Sequence, residues 1–233
     1  LAIDATREWT TMDADGEVQH MPHRLIMHFT HVTNLPGVLA AGCIQADSLV
    51  DRASALQVEA GDLDVKARRK QHRIRLPPFG RVADYVPFYF APRSPMLFTL
   101  AKGNVPTYSD GQDPLVYLVS HTNTAASAGS PCLFSDGNCA SPLTKVFNDL
   151  TLLGSAVDWE IMASRMWANT PDDQDRMRRR MAEFLVHQRV PVACVSQIVV
   201  RRETMKRQVD AILSAHTLSI PVAVRPWWYF ENV

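Results

Sequence analysis

Between Asp84 and Phe90 the chain reads Asp-Tyr-Val-Pro-Phe-Tyr-Phe, aromatic and β-branched residues on both sides of one proline. Such residues suit a pleated, half-buried surface, so a strand is predicted over 84–90. Pro87 has no N–H to give to a ladder, which places that strand at a sheet edge or a bulge. Further strands are predicted over 24–29, 115–120, 192–200 and 219–230. A helix capped at Thr33 or Asn34 carries Pro36 in its first turn, an apolar face of Leu35, Val38 and Leu39, and Gly42 as its stop. Trp159, Met162, Ala163, Met166 and Trp167 recur at helical spacing, a stripe best explained by core packing. A helix over 172–180 leads into 182–186, which reads either as its end or as a strand. Met205, Val209, Ile212 and Leu213 mark a late helix. Segments 46–83 and 122–142 carry no regular pattern, and 1–23 is expected to be a loose lead-in. Strands and helices without strict βαβ rhythm indicate an α+β domain.

Composition narrows what such a domain does. The 233 residues are 46% hydrophobic and carry 24 Lys plus Arg against 24 Asp plus Glu, which excludes a uniformly basic coat for nucleic acid or membrane. The neutral sum hides segregation. Lys66, Arg68, Arg69, Lys70, Arg73, Arg75 and Arg81 follow one another with no intervening acid, and a second cluster holds Arg176, Arg178, Arg179 and Arg180. A charge run is usually a solvated face. Here Tyr85, Phe88, Tyr89 and Phe90 follow directly, and cations beside aromatic rings suit single-stranded nucleic acid. No apolar run reaches membrane-spanning length, and the charged first twenty residues have no signal-peptide pattern. Cys43, Cys132, Cys139 and Cys194 form neither a disulfide scaffold nor a zinc pattern, as expected of thiols in a reducing cytoplasm. Phosphate-loop, dinucleotide, zinc-protease and serine-hydrolase signatures are absent.

Three stretches together resemble the DarT family of bacterial toxins, DNA ADP-ribosyltransferases. They are His28-Phe29-Thr30-His31 with Asn34-Leu35 and Gly42; Ala67-Arg68-Arg69-Lys70 leading into the block from Asp84 to Leu97; and Arg180-Met181-Ala182-Glu183-Phe184-Leu185-Val186 followed by Pro191. The resemblance spans about 24–230. It implies an ADP-ribosyltransferase-like α+β fold, a twisted mixed β-sandwich with a NAD+ cleft and flanking helices in one domain over 24–233. Within it, a NAD+-binding element falls at about 46–70 and an acceptor-recognition loop at about 142–183.

The implied activity is transfer of ADP-ribose from NAD+, without a metal, to a base in single-stranded DNA, thymine first. The implied catalytic pair is Glu183 and Arg68, and the implied NAD+ contacts are His28, Phe29, Thr30, Gly37, Gln45 and Arg68. Arg69, Arg73, Arg75, Tyr85, Tyr89, Met96, Arg178 and Arg179 are expected to meet DNA. A DarG-type macrodomain antitoxin is the implied partner of a cytoplasmic toxin that is monomeric alone. Transfer to RNA or protein on the same fold, or a non-catalytic nucleic-acid-binding module, are the alternatives. The residues suit the chemistry. A carboxylate stabilises a sugar developing positive charge and takes the proton of a thymine ring nitrogen, while a guanidinium positions the reactants. Without the resemblance, Glu183 reads as a strand carboxylate paired with Arg180 or Arg189.

Overall fold

In the computed structural model residues 9–12, 18–21, 23–50 and 58–231 are described. Strands β1 (Trp9–Met12) and β2 (Val18–Met21) pair antiparallel where a loose lead-in was expected. The chain continues through β3 (Leu25–His31), α1 (Leu35–Ala40), β4 (Cys43–Gln45) and α2 (Leu63–Gln71). Next come β5 (Tyr85–Tyr89), α3 (Pro95–Ala101), β6 (Leu115–His121), α4 (Thr122–Ala126), β7 (Cys132–Ser135) and β8 (Val146–Phe147). Helices α5 (Leu153–Ala156), α6 (Trp159–Ala163) and α7 (Arg176–Arg180) precede β9 (Glu183–His187), β10 (Arg189–Pro191), β11 (Gln197–Val200), α8 (Glu203–Ala215) and β12 (Val222–Val224).

Eight strands form one mixed sheet in the order β12-β11-β6-β3-β5-β9-β7-β8, parallel only between β11 and β12. The α+β class expected from the sequence is the class observed. Strand β6 is buried along six of its seven residues, as a continuous apolar run between covered faces should be. The Tyr229 hydroxyl lies 2.9 Å from the Leu115 carbonyl and 3.1 Å from that of Val199, so the closing segment is tied onto the sheet. Val209 and Leu213 of α8 complete this side of the core.

The sheet is nearly divided in two. Strands β3 and β6 pair from Leu25–His121 to His31–Leu115, and β5 and β9 pair from Tyr85–His187 to Tyr89–Glu183. Between β3 and β5 the single paired position is Met27–Tyr89. The proline-bearing strand is therefore central in the sheet order rather than at an edge. Backbone groups alternate sides along a strand. Tyr89 turns its backbone to β3, so Pro87, two residues earlier, presents its missing N–H to the same side, where the strands have parted. The proline penalty falls on a gap.

Several elements differ from their sequence expectation. Helix α2 lies in a stretch expected to be irregular; Asp62 caps it by accepting from the N–H groups of Asp64 and Val65 at 2.9 and 3.0 Å. None of its residues is buried, so no apolar periodicity announced it. Helix α6 stops at Ala163, and Met166, placed on the predicted stripe, is 74% exposed. The helix expected over 172–180 begins at Arg176, and 183–187 is strand. A 3-10 turn at Val192–Cys194 interrupts the strand expected over 192–200, and the closing strand shrinks to β12. Asn34 makes no side-chain cap bond; its amide is used elsewhere.

Candidate active site

A cleft opens where β3 and β5 diverge, walled by α1, β4, the 58–62 segment and α2. Glu183, the first residue of β9, sits across the ladder from Tyr89 and is 1% exposed. Arg69 of α2 donates from Nη1 to both its carboxylate oxygens, at 2.9 and 2.8 Å. The Glu183 N–H donates to Ser135 Oγ at 3.0 Å, and that hydroxyl donates to the Gly137 carbonyl at 2.7 Å. Arg69 thus holds the carboxylate, while Ser135 holds the Glu183 backbone behind it. Burial opposes the charge of Arg69, but the attraction and hydrogen bonds of Glu183, with Cys139 and Tyr89, together outweigh it and hold the guanidinium above its ordinary pKa. Burial, reinforced by Glu183, pushes the Tyr89 hydroxyl up as well.

Strand β3 supplies the opposite wall. The Nδ1–H of His28 donates to the Pro87 carbonyl at 2.9 Å, which bridges the split and leaves Nε2 as an acceptor. Burial lowers the His28 pKa, the Pro87 bond opposes this, and the charges of Lys66 and Arg69 add to the lowering. The ring of Phe29 stacks on Tyr89 with centroids 6.1 Å apart. The buried Asn34 amide clasps Val58, accepting from its N–H at 3.0 Å and donating to its carbonyl at 2.8 Å, and donates to Thr30 Oγ1 at 3.2 Å. Lys66 gathers both neighbouring acids, with Nζ 2.6 Å from Asp47 and 2.5 Å from Glu59. One buried donor is left over. Arg69 Nη2 has no partner among the described residues.

Of the sequence-predicted residues, His28, Phe29, Thr30, Gly37, Gln45, Arg69, Tyr85, Tyr89, Met96 and Glu183 line this cleft. Arg68 does not: it is exposed on α2, and Arg69 occupies the place expected for it beside Glu183. The alternatives of Arg180 or Arg189 as partner of Glu183 fall with that contact. Arg180 is buried and donates instead to the Ile161, Met162 and Pro92 carbonyls.

The DNA-facing expectations divide. Arg73 and Arg75 are exposed outside the cleft. Tyr85 is too buried to stack on a base, and its hydroxyl donates to the Phe79 carbonyl at 2.6 Å. Arg178 and Arg179 are committed to acids: Arg178 to Asp136 and Asp175 at 2.8 and 2.7 Å, Arg179 to Asp158 and Asp173 at 2.9 and 2.6 Å. Those four acids lie close enough in space to consume the charge that a linear reading left free. Asn34, Asp47, Glu59, Lys66 and Ser135 were not named as site residues, although the NAD+-binding element expected at about 46–70 contains three of them; a further signal was a polar Asn34 inside an apolar run. Among the described residues no group of three His, Cys, Asp or Glu is placed to hold a metal, and no helix is long and apolar enough to cross a membrane.

Comparison with known proteins gives this geometry relatives. A family model described as "ssDNA thymidine ADP-ribosyltransferase, DarT" matches residues 27–230. A Mycobacterium tuberculosis protein described as a DNA ADP-ribosyl transferase is 39% identical over 198 residues, 82% of this chain and 84% of that protein. The structure of Thermus sp. 2.9 DarT in complex with ADP-ribosylated ssDNA superposes with a TM-score of 0.82 at 32% identity, covering 88% of this chain and 96% of that one. Its complex with NAD+ gives 0.79 at 31% identity, covering 88% and 97%. A Thermosipho africanus fusion of DNA ADP-ribosyl transferase and DNA ADP-ribosyl glycohydrolase is 24% identical over 208 residues, 89% of this chain and 50% of that protein.

Proposed function

Because the chain belongs to the DarT family of single-stranded-DNA thymidine ADP-ribosyltransferases, we propose that its cleft transfers ADP-ribose from NAD+ to a thymine base, with Glu183 and Arg69 as the catalytic pair. The observation that carries this is the Arg69–Glu183 contact at the parting of β3 and β5, with one buried guanidinium N–H unsatisfied beside it. A buried donor calls for an acceptor. A diphosphate or ribose oxygen is the acceptor that suits Arg69 Nη2. The walls fit the rest of the dinucleotide: Phe29, Val38, Ile44 and Val65 offer apolar surface, and Gly37 keeps the start of α1 free of a side chain. Asp47 and Glu59, which would repel a diphosphate, are countered by Lys66 between them and by Lys70, 3.8 Å from Asp47.

NAD+ supplies an activated sugar whose bond to nicotinamide breaks as positive charge develops on the ribose. Glu183 stabilises that charge, accepts hydrogen bonds from ribose hydroxyls and takes the proton from the thymine ring nitrogen as its bond to the sugar forms. Each carboxylate oxygen keeps a lone pair beyond the one facing Arg69, so the ion pair and these contacts coexist. Arg69 holds the carboxylate in register. Neutral His28 and Thr30, whose hydroxyl proton is free because Oγ1 accepts from Asn34, orient the nicotinamide-ribose end. Tyr89 and Met96 flank the acceptor base.

The Thermosipho fusion, which joins a transferase to a glycohydrolase, supports a macrodomain antitoxin of DarG type as partner of a cytoplasmic toxin. The test incubates labelled NAD+ with separate pools of single-stranded DNA, RNA and protein, using wild type and Glu183→Gln. Label on DNA that vanishes in the variant is expected. Label on RNA or protein alone overturns the DNA assignment.

A further inference from the structure

The two arginine clusters have different fates in the fold. Around Arg178 and Arg179 the charge is consumed by four acids, whereas the guanidinium groups of Arg73 and Arg75 are exposed and meet no partner among the described residues. Between Arg75 and Arg81 the loop carries an aromatic ring into solvent: Phe79 is 54% exposed. Its backbone is held in the left-handed region at φ 68°, a costly place for an aromatic residue.

That conformation is heavily braced. The Phe79 N–H donates to the Leu76 carbonyl at 2.6 Å, and its carbonyl accepts from the Tyr85 hydroxyl at 2.6 Å. Ile74 N–H donates to the Gly80 carbonyl at 2.9 Å, and Arg81 Nη1 to the Lys70 carbonyl at 2.7 Å. A rigid backbone with its large ring left outside, a few residues after two unpartnered cations, has the make-up of a stacking platform for nucleic acid. It is also near the chemistry. Tyr85, which braces Phe79, opens β5, and Tyr89, opposite Glu183, closes it about 13 Å further along.

We propose that the 72–81 loop binds single-stranded DNA beside the acceptor, with Phe79 stacking on a flanking base and Arg73 and Arg75 holding its phosphates. The proposal rests on the reading of the cleft as a DNA ADP-ribosyltransferase site. A polyanion fits the two free cations, and a planar base fits a lone ring better than an apolar protein face would.

The experiment compares wild type, Phe79→Ala and Phe79→Trp on three acceptors: a minimal thymine-containing oligonucleotide, the same extended on both sides, and the extended form with abasic sites in its flanks. Equilibrium binding and ADP-ribosylation are both followed. Phe79→Ala is expected to weaken binding to the extended oligonucleotide, and raise its KM, about tenfold. Phe79→Trp should restore both, and the abasic flanks should cancel the difference between the variants. Equal losses on intact and abasic flanks, or none on either, overturn the proposal. So does weakened binding of a macrodomain partner with DNA binding intact, which would make the loop a protein-docking surface. Wild type that binds the extended oligonucleotide more tightly than the minimal one but modifies neither would fail the transferase reading and leave this platform measurable by binding.

Discussion

Arg68 and Arg69 are adjacent in sequence and opposite in circumstance, so alanine at each separates a surface cation from a working one. Arg69→Ala is expected to reduce transfer at least a hundredfold, and Arg68→Ala less than threefold, at saturating DNA in a labelled-NAD+ assay. Consecutive helical residues are turned about 100° from one another, so choosing between them requires the phase of the helix. A buried apolar stripe normally supplies that phase. Helix α2 has none, and its orientation is set by polar contacts from Lys66 and Arg69, so the sequence reading settled on Arg68, one residue away from the arginine that meets Glu183. Glu183 was legible through the resemblance carried by Arg180–Val186, although the local pattern left 182–186 open between a helix end and the strand that forms there. Glu183→Gln is expected to lose transfer by two to four orders of magnitude with a modest change in melting temperature. Glu183→Ala should also lose several kcal/mol of stability (about 3–5), because it leaves the Arg69 guanidinium with neither counter-charge nor acceptor, whereas the Gln carbonyl can still accept from it.

The walls of the cleft are held by contacts between neighbouring elements. Ser135 and Gly137 brace Glu183 from beneath, and Gly137 lies against Arg178: a Cβ there would meet the Arg178 guanidinium and stand 2.9 Å from its carbonyl. Gly137→Ala is therefore expected to cost about 1–3 kcal/mol, read as a lowered melting temperature together with reduced turnover. Arg178 fastens the 136–144 loop through Asp136 and Thr144, and Asp175 takes the rest of its guanidinium. The salt slope of DNA binding should accordingly fall by about 0.7 for Arg73→Ala or Arg75→Ala, and stay level for Arg178→Ala. The sequence could not distinguish the two clusters, because Asp136 and Asp158 reach Arg178 and Arg179 only through the fold. The strand around Pro87 was legible, yet its central position was not, since the gap that tolerates the proline arises from two strands parting and not from any local pattern.

The whole molecule carries a balanced charge, and its response to acid follows from where the titrating groups lie. His28, His31 and His121 all have pKa values lowered by burial, so they stay neutral in the folded chain where the unfolded chain takes up protons. The unfolded state then binds more protons, and stability falls as pH drops below about 6.5, by about 1 kcal/mol per pH unit for each such imidazole. Asp173 and Asp175, held below the usual carboxylate range by hydrogen bonds from Arg179 and Arg178, act in the same direction at lower pH. The melting temperature is expected to decline from pH 7 to pH 5, less steeply in His28→Asn. The central claim is narrower: a cleft formed where a sheet divides joins ADP-ribose to a thymine through Glu183 and Arg69. Tandem mass spectrometry of a defined single-stranded oligonucleotide, after incubation with NAD+ and protein, tests it most directly. One ADP-ribose mapped to a thymine base is expected with wild type and Arg68→Ala, and none with Glu183→Gln or Arg69→Ala; modification that persists in Glu183→Gln, or maps to phosphate or another base, would contradict these roles.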